Sequence, residues 1–439
     1  MSWRDDYKRK FVSPDEAVKV VRSGEIVAIP IDTEAWAVSK ALMARQSELK
    51  NVAVLIRRPR RDLGWFEGDF GDAFKVVMDT QPSASAALNE KCKGTIPALS
   101  SVRFRDDAHR TAGNIDVAIV VVSPPDDDGY CSFGMYLSHK GDYARSAKKV
   151  LAEVSTEPQM MVRLPGDGQI HVSQITHFTE HVTQPAPARE ASDAPPNDAE
   201  KKISEYVASL VRDGDTIQVG PGSVTESVIS LGLLDSRRDL GIHSAIIKQA
   251  KLGLVKKGVV TGKRKNVNPG LSVTGGFSGI SAEGIAFISH NKHFLMKDMS
   301  YVNDIRVIGS HDNMVCINGV LAIDLAGQLA TETLGTRLLG GAGGQVEFVI
   351  GAALSKGGRS ITALRSTAGG GKISRILPSF EPGTLVNIPR TFADYVVTEY
   401  GIASLWGKTE RERALELISV AHPDFRPDLK KAADKLYRA

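Results

Sequence analysis

Cysteine is scarce in this sequence. The 439 residues include three cysteines, Cys92, Cys131 and Cys316, which lie far apart and in no spacing that suits a metal site. An odd number of isolated cysteines argues against a disulfide framework and against a cysteine-based zinc site, and it fits a reducing compartment. We therefore expect a cytoplasmic protein without a structural metal.

Long apolar runs and aromatic residues are also few. No apolar run approaches the roughly 18 residues of a membrane-spanning helix, and residues 1–10 lack the apolar core of a signal peptide. Aromatic residues make up 6% of the chain, and 55 basic against 51 acidic residues give a formal net charge of +4. Neither value suits a stacking platform or a basic surface for nucleic acid. The sequence predicts a soluble protein that binds neither membranes nor nucleic acids.

What remains is ordinary globular composition, with 42% hydrophobic and 24% charged residues. The clearest shift in composition lies at residues 184–200, where Pro, Ala and acidic residues dominate and almost nothing can be buried. Such a segment is typical of an exposed linker. It divides the chain into predicted domains at residues 1–183 and 201–439.

The two halves resemble each other. Val21-Arg22 and Gly24 align with Val211-Arg212 and Gly214 at an offset of 190 residues. In each half an amphipathic helix, a glycine turn, a short β-branched strand and a new helix follow in order. Continuous apolar runs such as Val117–Val122 are typical of parallel strands covered on both faces. The sequence predicts two open α/β domains with largely parallel sheets, related by duplication, and a ligand site at the carboxyl ends of the strands, between the domains.

Glycine loops follow several of these strands. Gly220-Pro221-Gly222 opens a helix, where backbone N–H groups can approach an anion, although a tight turn alone would also explain it. Two further clusters lie at residues 340–345 and 366–372. They lack the strand–GxGxxG–helix context of a dinucleotide site, so a nicotinamide cofactor is a weak interpretation. Two clusters together favour a long, thin ligand.

Two polar groups stand at predicted strand ends. Glu399 follows the apolar strand that includes Val396-Val397, either as a site residue or as a carboxylate facing a helix dipole. His243 and Ser244 end another strand. Adjacent strand residues point to opposite faces, so a Ser–His dyad between them is disfavoured.

Taken together, these features resemble the family I coenzyme A transferases, more narrowly the acetyl-CoA hydrolase/transferase group. The resemblance runs nearly the full length of the chain. It is carried by segments that follow the family's motifs in the right order, at residues 124–134, 301–304, 313–318, 343–345, 355–358, 366–368, 396–403 and 421–426.

The resemblance implies a function on CoA thioesters. In the family a glutamate attacks the acyl-CoA and CoA is then carried as a glutamyl thioester. Coenzyme A would be substrate or product and no resident cofactor is implied. The partners would be an acyl-CoA and a small carboxylate, in a homo-oligomer or with a sister subunit. The positions implied for CoA and oxyanion binding are Gly220, Gly222, Asn318, Gly343, Gly344, Ser366 and Gly370.

The chain departs from the family at the nucleophile, where Ala245 occupies the glutamate position. A methyl group cannot form an acyl anhydride. Hydrolysis of an acyl-CoA or β-oxo-acyl-CoA by water, with Glu399 or Glu34 as general base, is therefore the first hypothesis. A transferase that uses another carboxylate and a non-catalytic CoA-binding subunit are the alternatives.

Overall fold

A computed structural model of the protein describes residues 2–30, 35–57, 64–65, 68–80, 115–182, 195–339 and 343–437, with the backbone alone at 57 and 78–80. The chain divides into two compact units. The first comprises residues 1–191, 245–247 and 273–302, and the second comprises residues 192–244, 248–272 and 303–439. Two segments beyond the predicted linker thus group with the first unit. The linker boundaries at residues 183 and 201 stay a prediction.

The α-helices of the described residues are, in chain order, α1 (Trp3–Lys10), α2 (Pro14–Ala17), α3 (Trp36–Ala44), α4 (Lys140–Ser146), α5 (Asp198–Ser209), α6 (Ser223–Ser230), α7 (Gln249–Lys256), α8 (Ala282–Ile288), α9 (Met299–Val302), α10 (Ile305–Gly309), α11 (Gln345–Leu354), α12 (Glu410–Ser419) and α13 (Arg426–Leu436). None of these helices combines the length and the apolar character that crossing a membrane would require.

Six described strands form the main sheet of the first unit: β1 (Ile26–Ile29), β2 (Val52–Arg57), β3 (Phe74–Thr80), β4 (Val117–Val122), β5 (Lys149–Val154) and β6 (His177–Glu180). They lie in the order β3-β2-β1-β4-β5-β6, and every neighbouring pair is parallel. All six residues of β4 are buried, as its continuous apolar run predicts.

Apolar strand residues and α3 build the core of the first unit. Val27 and Ile29 of β1 and Val117 of β4 share a buried cluster with Val38 and Leu42, which lie four residues apart on α3. This spacing brings both side chains to the same face of the helix. Burying that face against the sheet stabilises the unit by about 25 cal/mol for each Å² of apolar surface removed from water.

The second unit contains six neighbouring strands of an eight-stranded sheet: β7 (Thr216–Val219), β8 (Gly241–Ser244), β9 (Met314–Gly319), β10 (Arg359–Ala363), β11 (Tyr395–Thr398) and β12 (Gly401–Ser404). These strands lie in the order β8-β7-β9-β10-β11-β12. The pairs from β8 to β11 are parallel, and β12 returns antiparallel to β11. Largely parallel α/β sheets in both halves confirm the predicted fold class.

Shorter strands complete the described structure. They are Tyr130–Ser132, Gln169–His171, Ile247–Lys248, Ser272–Thr274, Phe277–Ser278, Phe294–Met296, Ala322–Asp324, Leu329–Ala330, Thr333–Leu334, Arg337–Leu338, Thr367–Ala368, Ile373–Ser374 and Ile376–Leu377.

The similarity between the two halves of the chain extends to the hydrogen bonds of one turn. In the first unit the N–H of Arg22 donates to Oε2 of Glu25 at 2.9 Å, and in the second the N–H of Arg212 donates to Oδ2 of Asp215 at 2.6 Å. Both turns contain a glycine with positive φ, +79° at Gly24 and +82° at Gly214. The same turn geometry thus leads into β1 and β7, at the offset that the sequence comparison gave.

The start of α5 differs from the sequence interpretation. The helix begins at Asp198, inside the segment interpreted as linker. Asn197 Oδ1 accepts from the N–H of Glu200 at 3.0 Å, and Glu200 Oε2 accepts from the N–H of Asn197 at 3.1 Å. This capping box satisfies two helix-terminal donors, so the helix starts earlier than composition alone indicates.

Candidate functional site

Most of the predicted site residues lie at one edge of the second sheet. β7, β8, β9, β10 and β11 run parallel, so their carboxyl ends meet at that edge. The strand that follows β7 along the chain is its neighbour on one side, and β9 is its neighbour on the other. This reversal of strand order is a topological switch point, where open α/β sheets bind ligands.

Gly220 and Asn318 meet at the switch point. A Cβ atom at Gly220 would lie 2.3 Å from Asn318 Oδ1, so only glycine fits there. The Asn318 amide is fixed in turn by Gln218, with Gln218 Nε2 donating to Oδ1 and Asn318 Nδ2 donating to Oε1, both at 3.0 Å. The structure therefore brings together a β7-end glycine and a β9-end amide that are 98 residues apart.

Thr225 stabilises the Gly220–Gly222 loop by side-chain hydrogen bonds. Its Oγ1 donates to the carbonyl oxygen of Gly220 at 2.7 Å and lies 3.1 Å from that of Gly222. Gly222 has a φ of +145°, a backbone conformation that disfavours any side chain. The loop is thus a fixed turn into α6, with its shape set by the glycines.

Gly343 and Gly344 lie beside the end of β9. Gln345, the first residue of α11, donates from Nε2 to the carbonyl oxygen of Gly319 at 3.4 Å. A Cβ atom at Gly344 would lie 2.5 Å from Asn303 Nδ2, whereas Gly343 faces open space. An asparagine amide thus packs on glycine here as it does at Gly220.

Glu399 is paired with Ser366. The N–H of Ser366 donates to Glu399 Oε2 at 2.9 Å, and Ser366 Oγ donates to Oε1 at 2.6 Å. Ser366 follows β10 and Glu399 follows β11, so parallel pairing of these strands aligns the two residues. Glu399 does not begin a helix itself, because β12 follows it directly. Asp198 and Ala199, the first residues of α5, line a pocket together with Glu399, so the helix-dipole alternative stays open.

An open pocket of about 410 Å³ lies in front of this pair. It is lined by Asn197, Asp198, Ala199, Arg365, Thr367, Ala368, Gly369, Gly370, Gly371 and Glu399. The three glycines form a turn with φ values of +59°, +66° and +90°. Among the hydrogen bonds of the described residues, none is donated by their N–H groups. The pocket thus combines a fixed carboxylate with backbone donors.

His243 and Ser244 contact different groups. The His243 ring lies 4.7 Å from that of His311 and 6.2 Å from that of Phe348, centroid to centroid. Ser244 Oγ instead accepts from Lys251 Nζ at 3.2 Å. The alternation of side chains along β8 separates the two residues, as expected from the sequence.

Lys251, which sequence reasoning did not single out, lies beside the end of β7. It is buried in α7, and its Nζ donates to the carbonyl oxygen of Val219 at 3.0 Å as well as to Ser244. Burial lowers the pKa of its amine to about 7, and Lys248 adds to this while Glu226 opposes it. The signal was present, because residue 251 falls on the apolar face of α7 beside Leu252 and Leu254.

The structure gives less information about the surroundings of two further predicted positions, Ala245 and Glu34. Ala245 follows Ser244 and is grouped with the first unit, where its carbonyl oxygen accepts from the N–H of Gly275 at 3.2 Å. Glu34 lies outside the described residues. Glu399 is therefore the candidate base whose surroundings the structure gives.

Family models and known proteins are similar to this chain. Residues 95–190 match the model of the acetyl-CoA hydrolase/transferase N-terminal domain, and residues 281–433 match that of the C-terminal domain. A 4-hydroxybutyrate coenzyme A transferase of Clostridium kluyveri is 44% identical over 315 residues, which are 72% of this chain and 71% of that protein. A succinyl-CoA:cyclohexane-1-carboxylate CoA transferase of Geobacter metallireducens is 34% identical over 441 residues, covering 100% and 98% of the two chains.

Solved structures are similar along the whole chain. RipA from Yersinia pestis has a TM-score of 0.85 at 30% identity and covers 100% of both chains. A 4-hydroxybutyrate CoA-transferase from Porphyromonas gingivalis has a TM-score of 0.76 at 33% identity and covers 99% of this chain and 100% of the other.

An acetyl-CoA hydrolase of Kluyveromyces lactis is 27% identical over 256 residues, which are 56% of this chain and 46% of that protein.

Proposed function

Because the chain belongs to the acetyl-CoA hydrolase/transferase family, we propose that it hydrolyses an acyl-CoA with water as the nucleophile, at the thioester or at the C–C bond of a β-oxo-acyl group. The chain is an enzyme of a family that contains both CoA transferases and acetyl-CoA hydrolases. Its residue 245 is alanine, which offers no carboxylate for a glutamyl-CoA intermediate.

The observation that carries this proposal is the Ser366–Glu399 pair beside the open pocket. Each carboxylate oxygen of Glu399 accepts one hydrogen bond from Ser366. A carboxylate oxygen has two lone pairs, so each can accept another hydrogen bond from water. In the proposed step Glu399 takes a proton from a water molecule while the water oxygen attacks the carbonyl carbon. At a thioester the C–S bond then breaks and the proton passes to the CoA thiolate. At a β-oxo group the Cα–Cβ bond breaks and the proton passes to the α-carbon of the shortened acyl-CoA.

The N–H groups of Gly369, Gly370 and Gly371 would stabilise the oxyanion of this step, since they line the same pocket and have no acceptor in the described structure. Gly220, Gly222 and Asn318 lie farther along the same edge. Three strand spacings, about 14 Å, separate β7 from β11. We assign these residues, with Gly343 and Gly344, to the extended CoA arm.

The test incubates the purified chain with acyl-CoAs and β-oxo-acyl-CoAs in ¹⁸O-labelled water, without any carboxylate acceptor. We expect free thiol, or a shortened acyl-CoA, together with an acid that carries one labelled oxygen. Glu399→Gln should abolish turnover, because an amide cannot take the proton. The exposed carboxylate of Glu381 lies outside the pocket, so Glu381→Gln is the matched control. Absence of product from every substrate would refute the proposal.

CoA transfer with another carboxylate as nucleophile is the second candidate. It is favoured by the 44% identity to a CoA transferase. In this case turnover would require a carboxylate acceptor, and hydroxylamine added with acyl-CoA would modify one Glu or Asp. Mass spectrometry of peptides would identify that residue. Turnover without an acceptor and without modification would exclude this candidate.

A further inference from the structure

Two arginines, Arg365 and Arg375, lie near Glu399. Arg365 follows β10 and lines the pocket, and its Nε is buried without a hydrogen-bond acceptor. Arg375 follows the hairpin whose turn is Gly369–Gly371. Within the described part of the chain, neither guanidinium group donates a hydrogen bond or joins an ion pair. Both side chains are half-buried, so water satisfies them only in part.

The two charges act on each other. The pKa of Arg375 is lowered first by burial and then by the positive charge of Arg365, while the charge of Glu399 opposes the shift. Glu399 uses its carboxylate oxygens to accept from Ser366 and forms no ion pair with either arginine among the described residues. Like charges near each other in a half-buried place repel, and Glu399 offsets only part of this repulsion at Arg375. An anion bound between the two arginines would lower this repulsion.

Guanidinium groups favour one kind of anion. Their planar N–H fork matches the two oxygens of a carboxylate or phosphate, and such charge-assisted hydrogen bonds are stronger than neutral ones. An acyl-CoA can present two kinds of anionic group to the arginines. They are the phosphates of CoA and a second carboxylate on the acyl group. Under the proposed function the reacting carbonyl lies at Glu399, in the pocket that Arg365 lines. The phosphates are separated from that carbonyl by the whole pantetheine arm, whereas an acyl carboxylate is only a few bonds away.

We propose that Arg365 and Arg375 form a subsite for the distal carboxylate of the acyl group, which makes dicarboxylic acyl-CoAs the preferred substrate class. This inference rests on the proposed function for the position of the reacting carbonyl. It goes further in naming the charge that the acyl group carries. The open pocket leaves room beside Glu399 for a short chain that ends in a carboxylate.

The test compares succinyl-CoA with butyryl-CoA, which have the same number of acyl carbons and differ in one terminal carboxylate. We expect kcat/KM to be about 10- to 100-fold higher for succinyl-CoA, the effect of one or two hydrogen bonds to a charged group. Arg365→Gln should remove this preference, because kcat/KM for succinyl-CoA should fall about 10- to 100-fold more than kcat/KM for butyryl-CoA. Lys372 is exposed on the same hairpin and is absent from the pocket lining, so Lys372→Gln removes the same charge as a control.

Binding is measured separately, so that failure of the hydrolysis proposal does not hide the result. Calorimetry with the succinyl and butyryl analogues in which CH₂ replaces the thioester sulfur requires no turnover. A preference for the succinyl analogue that Arg365→Gln abolishes would support the subsite even if neither thioester were cleaved. Equal binding of both analogues to the unaltered protein would overturn it. An equal loss for both analogues and for free CoA in Arg365→Gln would also overturn it and would assign the arginines to CoA phosphates.

Discussion

Replacing Lys251 by methionine tests the electrostatic cost of the buried amine beside Ser244. The amine titrates at 10.5 in its ordinary state and at about 7 in the folded protein, chiefly because burial disfavours its charge. Between these pH values the unfolded chain therefore binds more protons than the folded chain. The free energy of unfolding rises with pH across this window, and below about pH 7 the full cost of the buried charge is present.

The size of the effect follows from the shift. The difference between 10.5 and about 7 is about 3.5 pKa units, and at about 1.4 kcal/mol for each unit this corresponds to about 5 kcal/mol. Methionine has a similar length and carries no charge. The variant loses the hydrogen bonds to Val219 and Ser244, and the orphaned acceptors cost about 1 to 3 kcal/mol. We expect Lys251→Met to be more stable than the unaltered protein by about 2 to 4 kcal/mol below pH 7, with the advantage lost as the pH rises towards 10.

The measurement is urea unfolding of both proteins at several values between about pH 6 and 10, where the difference in free energy is plotted against pH. Lys257 is exposed and follows α7 directly, so Lys257→Met is the control whose pH profile should run parallel to that of the unaltered protein. Parallel profiles for Lys251→Met as well would show that the amine is not desolvated in the folded state, and the reasoning would be refuted.

Three further substitutions test the site and its scaffold. Ser366→Ala removes the 2.6 Å hydrogen bond to Glu399 and leaves the backbone bond, so kcat should fall about 10-fold with little change in KM; an unchanged kcat would mean that Ser366 does not position the carboxylate. Gly220→Ala forces a Cβ atom to within 2.3 Å of Asn318 Oδ1, and the displaced loop should lower kcat/KM by about 100-fold, whereas normal kinetics would show that the loop is not part of the site. Thr409→Ala removes the N-cap of α12 and should cost about 1 kcal/mol in urea unfolding without altering kcat.

The sequence predicts those parts of the fold that depend on neighbouring residues. The apolar run Val117–Val122 became a fully buried parallel strand, and the turns at Gly24 and Gly214 have the same geometry at the predicted offset. Glu399 was recognised because a carboxylate directly follows an apolar strand. Each of these signals lies within about ten residues of chain, where period and turn chemistry are informative.

Signals within about ten residues of chain do not reveal the long-range contacts within the site. Ser366 and Glu399 are 33 residues apart, and Gln218 and Asn318 are 100 residues apart. Their contacts depend on which strands become neighbours and in which register, and composition does not determine either. Sequence reasoning therefore found the residues one by one and left their grouping open. The return of residues 273–302 to the first unit was missed for the same reason.

In the described part of the second unit, two buried or half-buried cations, Lys265 and Arg365, have no carboxylate partner. Lys265 Nζ donates only to neutral carbonyl oxygens in the described structure, those of Ile242 at 3.0 Å and Leu271 at 2.7 Å, and desolvation lowers its pKa to about 7. Arg365 Nε is buried with no hydrogen-bond acceptor among the described residues. Burying cations without counter-ions reduces stability. Lys265 lies beside Gly241 and Thr216, the first residues of β8 and β7, away from the proposed ligand. Arg365 instead follows β10 at the carboxyl ends of the strands, so an anionic ligand there would offset the cost of its burial.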